Sequence, residues 1–168
     1  VIELNDLAVD GTIGVVTDGL GNATIVNDEN VNFAASTVGG DLDATATTGN
    51  ISQSGSITVA LTTTLETIAD DATITLLDPS NSFTGAITVA TSGTEGDVSI
   101  DGGSVTGLDI AASTVGGDLS LLSGNASGIT DSGTLTVGGN LDATTNDNAG
   151  VIELNDLAVD GTIGVVTD

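Results

Sequence analysis

The sequence predicts an all-β chain wound as a parallel β-solenoid, and three observations carry that expectation. A Thr, then Val or Ile, then Gly or Ala recurs at Thr12-Ile13-Gly14, Thr37-Val38-Gly39, Thr58-Val59-Ala60, Thr88-Val89-Ala90, Thr114-Val115-Gly116, Thr136-Val137-Gly138 and Thr162-Ile163-Gly164. Apolar and polar residues alternate around these anchors with the two-residue period of a strand, as in Ile57-Thr58-Val59-Ala60-Leu61 and Ala72-Thr73-Ile74-Thr75-Leu76. Helix signals are nearly absent, and corner dipeptides such as Asp10-Gly11, Asp18-Gly19, Gly49-Asn50, Asp101-Gly102 and Gly124-Asn125 interrupt the alternation.

Each anchor justifies one turn. The residue after the anchor Thr is β-branched every time, so Ile13, Val38, Val59, Val89, Val115, Val137 and Ile163 are expected to form one inward column. Thr12, Thr37, Thr58, Thr88, Thr114, Thr136 and Thr162 then point outward beside small residues, as a flat candidate face for lateral contact. Gaps of 21 to 30 residues fit coils of uneven loop length, and the longest gap holds Asp78-Pro79-Ser80-Asn81, expected to be a surface loop. Leu135, Val137 and Leu141 are placed on one face with Gly139. A pair of immunoglobulin-like sandwiches would explain the turn spacing but not an in-phase β-branched column.

A longer period encloses the short one. Residues 1–18, VIELNDLAVDGTIGVVTD, recur unchanged as residues 151–168, so residues 1–150 read as one full tandem repeat and 151–168 as the start of the next. The expectation is an excerpt of a longer array, with six rungs in each 150-residue repeat, advancing about 29 Å at about 4.8 Å per rung.

Composition narrows the function classes. The chain has 24 Asp and Glu, no Lys, Arg or His, and a formal charge of −24 at pH 7. Nothing in it neutralises a nucleic-acid backbone, an anionic membrane surface would repel it, and it has no segment apolar enough to insert directly into a bilayer. The absence of Cys removes disulfides and thiol chemistry, and the absence of Lys and Arg removes the cleavage sites of trypsin-like proteases. With only two Phe and no Trp, Tyr or Met, the core must be thin and built from small branched side chains. No enzyme is expected, because carboxylates are the only acids and bases available and nothing aromatic or basic would position a sugar.

The segments TVGGDLDAT, GNISQSGSITV and SGTLTVGGNLDAT resemble the repeats of giant filamentous-haemagglutinin-like adhesins, the β-strand-repeat surface proteins of bacteria. The likeness is good over residues 34–66 and 86–145. It implies a right-handed parallel β-helix exported as a long fibre. The lack of basic residues departs from many members and is at odds with glycan or heparin binding.

Calcium is the one cofactor the residues suggest. Asp41, Asp43, Asp118 and Asp142, with Asn140, lie at matching offsets after their anchors, and oxygen-rich turns suit Ca²⁺. Neither a GGxGxD nonapeptide nor EF-hand spacing is present. The competing reading is that these are solvated carboxylates that keep the rungs soluble and block lateral pairing, set among neutral residues so that like charges do not stack. An ice-binding face would need Thr at the second position too, where Gly or Ala stands. Asn22-Ala23-Thr24, Asn50-Ile51-Ser52 and Asn125-Ala126-Ser127 are formal glycosylation sequons. The expected function is an extracellular structural filament or adhesin stalk, partnered end to end by neighbouring repeats and laterally by itself in fibres or bundles. The alternative is a calcium- or partner-binding surface module that organises rods laterally.

Overall fold

The structure is a computed structural model that describes residues 1–147 and 149–168. Short strands follow one another around a three-sided coil. The first turn holds β1 (Ile2–Leu7) and β2 (Thr12–Ile13). The second holds β3 (Ala23–Asn27), β4 (Val31–Phe33) and β5 (Ser36–Val38), and the third β6 (Leu42–Ala46), β7 (Ile51–Gln53) and β8 (Ile57–Val59). The fourth holds β9 (Thr63–Asp70), β10 (Ile74–Leu76) and β11 (Ser82–Phe83), and the fifth β12 (Ile87–Ser92), β13 (Val98–Asp101) and β14 (Leu108–Ile110). The sixth holds β15 (Ser113–Val115), β16 (Leu119–Ser123) and β17 (Ile129–Asp131). The seventh holds β18 (Leu135–Val137), β19 (Leu141–Thr145) and β20 (Ile152–Glu153), and the last β21 (Leu157–Val159) and β22 (Ile163–Thr167).

All strand pairings among the described residues are parallel, so the fold is the all-β, parallel solenoid that alternation and corner spacing predict. The second side is one unbroken ladder of eight strands, β2-β4-β7-β10-β13-β16-β19-β22, and it counts eight turns. Val31, Ile51, Ile74, Val98, Leu119 and Leu141 stack through it in register, all buried. Burial of each such side chain stabilises by about 1.5–3 kcal/mol, which is how a core with two aromatic residues holds. Those two, Phe33 and Phe83, are its largest fully buried side chains.

Seven ladder steps separate Ile13 from Ile163, so a 150-residue repeat makes seven turns of about 21 residues, advancing about 34 Å. The anchors predict six. They miscount because they do not keep to one side. Thr12-Ile13 lies on the second side, and Thr37-Val38 and Thr58-Val59 pair in register on the third. Val89 stacks on Leu65 on the first side, and Val115 stacks under Val137 in the β15-β18-β21 ladder. The anchor slips once around the coil within the repeat, and one turn is lost from the count.

The slip has a visible counterpart in strand length. In turns two to four the long strand of each turn, β3, β6 or β9, is on the first side, whereas in turns six and seven it is β16 or β19 on the second. The change occurs at β12, whose upper edge forks: Ile87 pairs with Ile110 of β14 and Ala90 with Thr114 of β15. Below the fork the third side is the ladder β5-β8-β11; above it, β14-β17-β20 takes over.

Candidate functional site

The corners carry the most specific polar chemistry. Before five strands of the second side stands an Asn or Asp whose side-chain oxygen accepts the backbone N–H of its counterpart one turn up. Asn30 Oδ1 accepts from Asn50 N at 2.8 Å, and Asn50 Oδ1 from Thr73 N at 2.8 Å. The series resumes as Asp97 to Asp118 (2.8 Å), Asp118 to Asn140 (2.6 Å) and Asn140 to Thr162 (3.0 Å). A shorter series runs from Asn22 to Asp41 to Thr62 at the corner before the first side. Corner N–H groups that no strand would satisfy are paired by these side chains.

Two of the calcium candidates, Asp41 and Asp118, belong to these series. Asp41 receives the Thr62 hydroxyl (2.7 Å) and N–H (3.1 Å) and the Asn22 amide (3.1 Å). The Thr62 hydroxyl first, then the Thr62 N–H and Asn22, hold its carboxyl below the usual carboxylate range. Asp43 points outward from β6 between Thr24 and Thr64, and Asp142 outward from β19 between Ser120 and Gly164. Asp41 and Asp43 thus lie on the lower half of the coil, and Asp118, Asn140 and Asp142 on the upper half at a different side, so the five converge on no common point. Like charges also stack directly, contrary to the alternation expected, since Asp97 stands beneath Asp118 and accepts its N–H.

The Thr face is likewise divided. Thr37 and Thr58 pair on the third side, Thr114 and Thr136 pair on β15 and β18, Thr88 lies on β12, and Thr12 and Thr162 lie at the second side. They share no plane. Ile13, Val38, Val59, Val89, Val115 and Val137 are all buried in one core, but in several columns, while Ile163 is 53% exposed on the topmost turn.

Three further expectations change. Leu61 sits at a corner and is exposed, out of line with buried Ile57 and Val59. Leu141 leaves the side of Leu135 and Val137, because Gly138-Gly139 turns the corner between β18 and β19. The Asp78-Pro79-Ser80-Asn81 loop is exposed at Pro79 and Ser80, yet Asn81 is fully buried. The Asn81 amide exchanges two hydrogen bonds with Gln53 (both 2.9 Å), accepts from Ile57 N and donates to the Asp101 carbonyl. Two shallow open grooves lie on the surface, one of about 460 Å³ beside Ser52, Gln53, Thr75, Leu77 and Pro79, the other of about 230 Å³ beside Glu66, Ile68 and Thr114.

One signal was present but longer than the three-residue anchor. The nonapeptide AASTVGGDL occurs at residues 34–42 and again at 111–119. In both places it builds the same corner: Ser36 Oγ accepts from Val15 N and donates to the Ala34 carbonyl, and Ser113 Oγ accepts from Val89 N and donates to the Ala111 carbonyl. A Cβ on Gly39 would overlap the Gly19 carbonyl, and one on Gly116 the Gly93 carbonyl, so only glycine fits where turns press together.

Two segments, residues 20–90 and 95–167, match the family described as Repeats of unknown function (DUF5649), and the chain belongs to that family. No curated protein and no solved structure matches the chain. The two segments correspond to β3 through β12 and β13 through β22, ten strands each, or three turns and one strand. Consecutive family units therefore start one side apart, which is the origin of the slip.

Proposed function

We propose that this chain of DUF5649 repeats is a segment of a structural rod: an extracellular filament, or the stalk of a surface adhesin of the filamentous-haemagglutinin-like kind, with neighbouring repeats as its end-to-end partners and no catalytic role. The observation that carries this reading is the eight-strand ladder of the second side, closed over a buried apolar core with acidic residues at the corners. Backbone hydrogen bonds then run along the axis and resist its extension, while the charge keeps the rod soluble. The extracellular placement rests on the adhesin resemblance and on the acidic composition.

Two measurements test it. Concatemers of one, two and four 150-residue repeats, imaged by electron microscopy, should lengthen by about 34 Å per repeat at constant width; beads of constant size joined by linkers would refute the rod. Antibody raised against the chain should label intact cells of the source organism; label that appears only after permeabilisation would refute the extracellular placement.

A further inference from the structure

We infer that the coil contains a built-in joint between its fourth and fifth turns, where the third side opens while the first and second act as the hinge. Across this step the first side keeps a four-residue run of pairs, Thr63-Ile87 through Glu66-Ala90, and the second keeps three, Ile74-Val98 through Leu76-Ile100. On the third side β11 pairs downward with β8, and among the described residues no strand pairs with its upper edge. The neighbouring third-side steps are strand-paired, β8 to β11 at two residues and β14 to β17 at three.

Side chains span what the backbone leaves open. Thr106 Oγ1 donates to the Phe83 carbonyl at 2.9 Å, and Asn81 Nδ2 to the Asp101 carbonyl at 3.1 Å. The strand above is replaced by Gly102-Gly103-Ser104-Val105-Thr106-Gly107, in which Gly103 has a φ of 73° and Val105 is 69% exposed. The gap is a product of the slip: β14 extends over the corner that residues 84–86 turn in the fourth turn, so the two backbones meet only at Ile87-Ile110. On the third side this step is pinned by two side chains alone, so that side opens here at lower free energy than at the steps where it is strand-paired. The inference concerns pairing within the chain and does not depend on where the rod works or what it carries.

The chain has no Cys, so spin labels can be placed singly. Thr37→Cys with Thr130→Cys spans turns two to six on the third side, and Asn32→Cys with Ser120→Cys spans the same turns on the second. The third-side pair should give a distance distribution about twice as broad as the second-side pair; equal widths would overturn the joint. Hydrogen exchange on the unsubstituted chain supplies the second readout. Residues 103–107 should exchange in one concerted opening, faster than β10 and β13 of the same step, whereas protection equal to that of β14 and β17 would overturn it as well.

Discussion

The two copies of AASTVGGDL, residues 34–42 and 111–119, have one sequence and one local structure but occupy different sides of the coil. In the lower copy the corner leads from the third side to the first; in the upper it leads into the second. The serine bridge and the glycine contacts are the same in both. The motif therefore specifies a corner and not a face, and the face is set by how many strands intervene. The halves differ in their filling instead. Both Phe lie in the lower half, while the upper is aliphatic throughout.

The largest effect should come from that difference. Phe83→Ala removes one of the two largest fully buried side chains, next to the third-side gap, at a cost of about 3–5 kcal/mol. Urea titration of the variant should show the lower half melting ahead of the upper, resolvable by exchange, because a solenoid's turns contact only their neighbours. A single concerted transition with the wild-type midpoint would contradict the comparison. Next, Gly39→Ala and Gly116→Ala should each cost about 2 kcal/mol, by equal amounts, since each forces a Cβ into a carbonyl one turn below. Gly11→Ala, with open space around it, is the neutral control. Unequal losses at the two corners would show that the face matters after all.

Acid titration probes two carboxyl environments of the lower half. Glu29 hydrogen-bonds with Asp10 and is repelled by it, which raises its pKa above the usual 4.5, so folding takes up a proton there and the fold gains stability as pH falls into the range just above that value. Asp41, held below its usual 3.8, contributes stability at neutral pH that is lost as pH falls through its lowered value. Melting temperature should thus rise on mild acidification and then fall. Glu29→Gln should flatten the rise, and an unchanged rise would rule out the Asp10 pair as its source. The smallest effect is expected for Asp118→Asn, within about 0.5 kcal/mol in thermal denaturation, because an amide keeps the acceptor for Asn140 N as Asn140 itself does for Thr162.

The all-β, parallel character was legible because alternation and corner residues are local properties, and Val38 and Val59 stack as a two-residue period demands. The turn count was not, since a three-residue anchor carries no information about which side it occupies. The nonapeptide repeat, read with its 77-residue spacing, held that information in part. The sequence marks Asp41 and Asp118 by their oxygens, and in the fold those oxygens accept from backbone N–H groups of the next turn. Asn81 was unreadable: a polar residue after Pro79-Ser80 looks like loop, and only the approach of Gln53, 28 residues earlier, draws it inside. The identical residues 1–18 and 151–168 make the same point, with strands at Ile2–Leu7 and Thr12–Ile13 in one copy and at Ile152–Glu153, Leu157–Val159 and Ile163–Thr167 in the other. Strand limits belong to the neighbouring turn as much as to the sequence.

The corner ladder gives the coil a direction of growth. Each finished turn displays carbonyl and carboxylate acceptors to a turn that begins some twenty residues later, so structure can advance vectorially behind an emerging chain, every layer serving as the template for its successor and none waiting on distant sequence.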